Sequence, residues 1–274
     1  MAKTRRLMQE CLSQVDFVLE LLDARIPYSS KNPEIDKIIG DKPRLTILTK
    51  SSLANPALTA QWAEHYKKQG REIAVIDAVS GYGITDMAEK IKLLMKEKLA
   101  RYKDKGMEGR HLRSMIVGIP NVGKSSLINR LAGAKKAKVE NRPGVTLNKQ
   151  WVPTEMGFDL LDMPGVLWPK FEDEEVGLKL AMTGAIRDQI IDIEEVAMSL
   201  CVKLMEYAKE EFLERYKLTE EETEYLDGYD LFELVGRKRG FLISGGEVNH
   251  DRCAVMLLDE FRDGKIGRIT LERP

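Results

Sequence analysis

Net charge is almost missing from this 274-residue chain: 43 Lys and Arg stand against 44 Asp and Glu, a balance of −1 at neutral pH. No overall positive field therefore draws it onto nucleic acid or membrane, and any RNA contact must use a local basic patch. Cysteine is scarce, with Cys11, Cys201 and Cys253 far apart, odd in number and without a C-x-x-C pair. That spacing argues against a disulfide framework or a zinc site and suits a reducing cytoplasm, the expected compartment. Long apolar runs are lacking as well. None approaches membrane-spanning length, and Met1-Ala2-Lys3-Thr4-Arg5-Arg6 leads into no signal-peptide core, so no membrane role is expected. Internal repeats and low-complexity tracts are absent too. What remains is 43% hydrophobic and 32% charged, ordinary for a globular protein with room for one large or two medium domains.

Against that background one stretch stands out. Gly118-Ile119-Pro120-Asn121-Val122-Gly123-Lys124-Ser125 reads G-x-x-x-x-G-K-S, the phosphate-cradling P-loop. Ser114-Met115-Ile116-Val117 before it is a short apolar run fit for a buried parallel strand. Leu127, Ile128 and Leu131 after it recur at helical spacing. In that setting loop amides and the helix start hold the α- and β-phosphates. Lys124 reaches the β- and γ-phosphates, and the Ser125 hydroxyl binds Mg²⁺. Further on, Phe158-Asp159-Leu160-Leu161 reads as a strand that ends in Asp162-Met163-Pro164-Gly165. This D-x-x-G fits an Asp that holds a Mg²⁺-bound water and a Gly whose amide meets the γ-phosphate.

Around these motifs the chain alternates. An amphipathic helix over residues 3–15 precedes a strand, Asp16 to Asp23, and a turn at Ala24-Arg25-Ile26-Pro27. A second strand, Leu45–Leu48, runs into Thr49-Lys50-Ser51-Ser52, followed by a helix from about Pro56 to Gln69. A third strand, Ile73–Ile76, ends at Asp77-Ala78-Val79-Ser80-Gly81. A long helix over 84–102 and a basic linker, Lys103 to Arg113, lead to the P-loop strand. Strands alternating with helices predict a parallel α/β sheet with ligands at the carboxyl ends of its strands, where these polar tails lie. The basic, turn-rich connection from Lys135 to Lys149, with Arg142-Pro143-Gly144-Val145-Thr146, sits where a nucleotide-sensing loop belongs.

Beyond Trp168-Pro169-Lys170-Phe171 the pattern turns helical, over 176–186, 193–215, 231–239 and 248–262, and closes with strand-like alternation over 266–271. This predicts a division into a nucleotide domain, 1–171, and a smaller, mostly helical C-terminal domain, 172–274. Arg237, Lys238, Arg239, Arg252, Arg262, Lys265 and Arg268 form either a phosphate-binding face or an ordinary solvated surface.

In a Ras-like GTPase the P-loop comes first and the base-reading N/T-K-x-D late. Here Thr49-Lys50 precedes the P-loop, so the chain resembles a circularly permuted GTPase. More closely, it resembles the RbgA/YlqF family of bacterial ribosome-assembly GTPases over almost its whole length. The resemblance rests on Asp23-Ala24-Arg25-Ile26-Pro27, the P-loop string, Arg142-Pro143-Gly144-Val145-Thr146 and Leu167-Trp168-Pro169-Lys170-Phe171-Glu172-Asp173. It also rests on Lys238-Arg239-Gly240 and Ser244-Gly245-Gly246. It implies GTP hydrolysis coupled to late maturation of the large ribosomal subunit, with the helical domain touching ribosomal RNA; a monomer is expected. It implies potassium stimulation too, with Asn121 as a ligand of the ion. Phosphates then fall to Asn121, Val122, Gly123, Lys124, Ser125 and Ser126. Mg²⁺ falls to Ser125 and Thr146, with Asp162 acting through water. Gly165 senses the γ-phosphate, and Thr49, Lys50, Ser52 and the Ala78 amide surround the base of GTP or GDP. Because D-x-x-G runs within a few residues into the helical domain, movement of this loop is expected to lever that domain.

Two positions depart from the pattern. Ser52 stands where the base-reading Asp belongs, and a neutral hydroxyl is a poor substitute for a carboxylate worth roughly 1.5–3 kcal/mol per charge-assisted bond. On this reading Ser52→Asp is expected to tighten GTP over ATP. Val166 after D-x-x-G cannot orient water. The family uses a His just upstream of its Met-Ala-Lys segment, and here Met1-Ala2-Lys3 opens the sequence, so no catalytic residue is assigned; His65, His111 and His250 do not match that position. Two readings stay open: a GTPase that drives ribosome assembly, and a nucleotide-gated RNA- or ribosome-binding module with little turnover. A metabolic P-loop kinase has no use for the D-x-x-G and T-K-x-x elements.

Overall fold

The computed structural model describes residues 2–107, 109–133, 151–168, 171 and 173–274. In chain order its elements are α1 (Ala2–Leu12), β1 (Phe17–Asp23), α2 (Pro33–Ile39), β2 (Arg44–Thr49), α3 (Pro56–Lys68) and β3 (Glu72–Val75). Then come α4 (Ile84–Leu94), α5 (Lys96–Asp104), β4 (Leu112–Gly118), α6 (Lys124–Leu131), β5 (Trp151–Pro153) and β6 (Phe158–Asp162). The remainder is helical: α7 (Glu174–Met182), a 3-10 turn (Asp188–Ile190), α8 (Ile193–Tyr207), α9 (Lys209–Tyr216), α10 (Glu220–Thr223), α11 (Gly228–Lys238) and α12 (His250–Arg262).

The six strands form one sheet in the order β3-β2-β1-β4-β6-β5, parallel except for β5 on β6. Apolar runs such as Phe17–Leu22, interrupted only by Glu20, suit strands covered on both faces, and every residue of β1 is buried. Even Glu20 is buried there, held by Arg44 at 3.2 Å and Arg71 at 3.0 Å. Register then assembles the site. Asp23 pairs with Thr49 and Leu21 with Gly118, so the carboxyl ends of β1, β2 and β4 lie side by side.

Most of the predicted elements are present, and the differences have local causes. The helix expected over 84–102 is interrupted at Met95, whose φ of −101° and ψ of 10° separate α4 from α5. The one expected over 193–215 breaks at Ala208, φ −153° and ψ 48°, and Phe212 and Tyr216 of α9 still reach the core that holds Leu200 and Leu204. The expected linker is shorter, because β4 already begins at Leu112. Three short elements had escaped the periodicity: α2, capped by Asn32 with Pro33 in its first turn, β5, and α10. No strand forms over 266–271. That segment runs extended across the loops after β1 and β2, its Ile269 amide donating to the Leu53 carbonyl at 2.9 Å and its Leu271 amide to the Arg25 carbonyl at 2.8 Å. Among the described residues no helix is long and apolar enough to cross a membrane.

Candidate functional site

The P-loop links β4 to α6, and its backbone is bent by need. Gly123 has φ of 103°, and Asn121 adopts a left-handed φ of 55°, which a side chain with a Cβ takes only where its surroundings hold it. Lys124 is buried at the start of α6, its Nζ donating to the carbonyls of Gly118 at 3.1 Å and Ile119 at 2.7 Å. Burial pushes this ammonium down to about 8, against the pull of the Asp162 carboxylate and with the Lys50 charge adding to the push. Ser125 and Ser126 follow on the exposed first turn of α6.

Asp162 closes β6, and Gly165 lies directly over the P-loop. A Cβ on Gly165 would fall 2.7 Å from Lys124 Nζ and 2.8 Å from the Pro120 nitrogen, so only glycine fits this approach. The next residue, Val166, donates its amide to the Gly118 carbonyl at 3.3 Å and accepts from Asn32 Nδ2 at 3.0 Å. Burial raises the Asp162 carboxyl, partly offset by Lys124. A hard carboxylate whose charge is under-compensated, near the Ser125 hydroxyl's loop, is a donor set suited to Mg²⁺. Thr146, the third expected Mg²⁺ ligand, and Arg142-Pro143-Gly144-Val145-Thr146 lie outside the described residues.

The segment expected to read the base, Thr49–Ser52, reaches the P-loop through Thr49. Its Oγ1 donates to the Val122 carbonyl at 2.7 Å and lies 3.0 Å from the Leu22 carbonyl, tying the end of β2 to the loop after β4. Lys50 has φ of 55°, and its Nζ donates to Asp23 Oδ2 at 2.8 Å. Ser52 Oγ donates to Asp77 Oδ2. The Ala78 carbonyl accepts from Arg130 Nε at 2.9 Å, so the loop after β3 is anchored on α6.

Two groups missed in the sequence shape this corner. Asp23 is buried and takes Arg25 through both carboxylate oxygens, at 3.0 and 2.8 Å, besides Lys50. Burial would raise its carboxyl, yet the Arg25 guanidinium and Lys50 ammonium outweigh it and hold it well below the usual range. Arg25 also donates to the Arg262 carbonyl at 3.3 Å, and Asn121 Nδ2 to the Gly184 carbonyl at 2.6 Å. Both contacts cross from the sheet to the helical region, around a cavity of about 360 Å³ lined by Lys50, Asn121, Gly184 and Asp188. An Asp and an Arg two residues apart at the end of an apolar strand were the available signal for this pair. A larger hollow, about 610 Å³, lies by Asp16, Lys42 and Lys98 at the amino ends of the strands, away from the P-loop.

The seven basic residues expected on one face are mostly occupied by the protein itself. Arg239 and Arg215 pair with Glu260, Arg262 with Asp188, Arg237 with Glu233, Lys238 with Glu222 and Lys265 with Asp263. Arg268 donates to the Ser51 and Ala54 carbonyls, and Arg252 stacks on Phe241. Five of the seven thus carry an acidic partner. The histidines sit with Gln69 (His65), Asp159 (His111) and Glu233 (His250).

The sequence and the fold are similar to those of known proteins. Residues 113–226 match the family model described as 50S ribosome-binding GTPase. The chain is 45% identical over 274 residues to Ribosome biogenesis GTPase A of Bacillus pumilus, covering all of this chain and 96% of that one. It is 47% identical over 275 residues to the protein of the same name from Priestia megaterium, again over all of this chain and 94% of the other. GNP-bound YlqF from T. maritima superimposes with a TM-score of 0.69 at 28% identity, over 99% of this chain and 98% of that one. With the strand of Thr49 ahead of the P-loop strand in the chain and separated from it by β1 in the sheet, this circularly permuted GTPase belongs to the ribosome biogenesis GTPase A family.

Proposed function

We propose that this chain binds and hydrolyses GTP and acts as a ribosome assembly factor, working on the precursor of the bacterial large subunit late in its assembly. The observation that carries the nucleotide part is the 2.7 Å bond from Thr49 to the Val122 carbonyl. It joins an element read as base-recognising to the phosphate loop, although the two are separated by 73 residues and run in the reverse of the usual order. The ribosomal part rests on the names of the relatives.

In this reading Asn121, Val122, Gly123, Lys124, Ser125 and Ser126 surround the phosphates, and Gly165 meets the γ-phosphate. Thr49, Lys50, Ser52 and Ala78 border the base. Lys50 keeps its ammonium on Asp23, which leaves its stem for the base plane. Ser125, Thr146 and Asp162 hold Mg²⁺, and the ion neutralises charge on the β- and γ-phosphates when bound. Asn121 has one amide donor on Gly184, so its side-chain oxygen remains for K⁺. Residues 1–171 make the GTPase domain and 172–274 the helical domain, which contacts ribosomal RNA; the protein is monomeric and cytoplasmic.

The alternative, a nucleotide-gated ribosome-binding module with little turnover, draws on Val166, an apolar residue where a water-orienting group would stand. Hydrolysis of GTP and ATP in potassium buffer, with and without large ribosomal subunits, separates the two. GTP-selective turnover that rises with subunits is the expected result. Nucleotide binding without turnover in either condition would favour the gated module. Loss of binding is expected for Lys124→Ala, and tight GTP binding by that variant would overturn the P-loop assignment.

A further inference from the structure

Guanine presents two donors side by side, the ring N1–H and the exocyclic amine. Reading both takes a pair of acceptors, which an ionised carboxylate supplies and a hydroxyl does not. Ser52, in the place of that acid, has its hydroxyl committed: Oγ donates to Asp77 Oδ2. Asp77 is itself only 4% exposed. It is held by the loop after β3, its amide donating to the Tyr82 carbonyl at 3.0 Å and its carbonyl accepting from Gly81 at 2.8 Å. Its second oxygen, Oδ1, accepts the Ser80 amide at 2.7 Å. This turn requires glycine at position 83, since a Cβ there would fall 2.0 Å from the Val75 carbonyl oxygen.

A carboxylate has about four acceptor positions, so two hydrogen bonds leave capacity on both oxygens. Ser52 and Asp77 line the same cavity of about 510 Å³, with Ser51, Thr59, Val75 and Tyr82. Burial would raise the Asp77 carboxyl, but the bonds from Ser52 and Ser80 outweigh it and hold it below its ordinary value, so it stays ionised and purely accepting at neutral pH.

We propose that Asp77 supplies the carboxylate that reads guanine, with Ser52 as its positioning residue. Acid and hydroxyl occupy the two facing loops after β2 and β3, and here the acid stands on the second. The proposal rests on the reading of Thr49–Ser52 as the base-reading element. It also reverses the gain expected of Ser52→Asp, because a second carboxylate would then face the first.

Calorimetric titration of the full chain with Mg²⁺ and GDP, xanthosine diphosphate or ADP tests it. Asp77→Asn is expected to weaken GDP about ten- to hundredfold. The same variant should bind xanthosine diphosphate better than the parent, because a carbonyl at C2 replaces guanine's amine and meets the new amide donor. Ser52→Ala removes the bond that positions the acid, so it should weaken GDP, though less than Asp77→Asn does, and leave GDP preferred to xanthosine diphosphate. Ser52→Asp alone should weaken GDP, and the double exchange Ser52→Asp with Asp77→Ser should recover it. An unchanged ratio of GDP to xanthosine diphosphate in Asp77→Asn overturns the proposal while leaving the base-reading element in place. So does a variant that binds neither diphosphate and is not recovered by the double exchange. Equal binding of ADP and GDP by the parent chain would instead remove the reading of Thr49–Ser52 on which the proposal stands.

Discussion

Lys124 shows how much of this site is settled by where one side chain is buried. A surface lysine is charged at any physiological pH, but this one is pushed down to about 8 by burial, with Asp162 opposing and Lys50 adding to the shift. Its partners here are two neutral carbonyls, Gly118 and Ile119. Phosphate oxygens stabilise the ammonium more strongly than carbonyls do, so nucleotide binding raises the group again and takes up a proton above pH 8. The sign follows: affinity is level below about pH 8 and falls above it, approaching tenfold per pH unit. Titrations from pH 7 to 9.5 in two buffers of different ionisation heat would report both the fall and the proton. Affinity that stays constant through pH 9 would mean that Lys124 does not meet the phosphates. Lys124 itself was legible as G-x-x-x-x-G-K-S. Its depressed charge was not, because burial depends on β6 and Gly165 arriving from elsewhere in the chain.

At the scale of elements, the last residues act as a strap. Alternation over 266–271 predicts a strand, and the segment is extended, but its amides bond to loop carbonyls and not to a strand of the sheet. It lies instead on the loop after β2: Arg268 donates to the Ser51 and Ala54 carbonyls, and the Asn55 amide to Thr270 Oγ1. Glu272 fastens the end, accepting from the Tyr28 amide at 2.7 Å and from the Ser29 amide and hydroxyl. Burial raises its carboxyl, against the pull of Ser29 and Lys179. Glu272→Ala is expected to cost about 1–3 kcal/mol, since it leaves those buried donors unmatched. Hydrogen exchange should quicken first at the Ile269 and Leu271 amides, which donate to the Leu53 and Arg25 carbonyls respectively; unchanged protection there would show that the strap is held without Glu272. Periodicity could not have located this contact, because alternation describes an extended chain without saying what it lies on.

In the whole molecule the phosphate loop, the D-x-x-G segment and the helical region form one connected path. Asn121 holds the Gly184 carbonyl, Arg25 holds the Arg262 carbonyl, and Val166 lies between the Gly118 carbonyl and Asn32. Arg262 in turn grips Asp188 and the Ala181 and Met182 carbonyls beside α7. A γ-phosphate that draws on the Gly165 amide would act on this path at Val166, where permutation brings the helical region close along the chain. Amide exchange across residues 173–274 is therefore expected to differ between GDP and a GTP analogue, most near Gly184 and Arg262. Identical profiles with the two nucleotides would show that the helical region does not sense the γ-phosphate.

The sequence by itself determined the strand–loop–helix of the P-loop, the parallel sheet and the permuted order of motifs, because each is written in local spacing and turn chemistry. It also showed that an acid was missing at Ser52. Only the tertiary structure decided which group Ser52 bonds to, which basic residues are already paired, and where the strap lies. Those outcomes depend on contacts between residues far apart in the chain, such as Ser52 with Asp77 and Ser29 with Glu272. A hydrogen-bond partner is chosen by three-dimensional proximity, and no period in the chain encodes it.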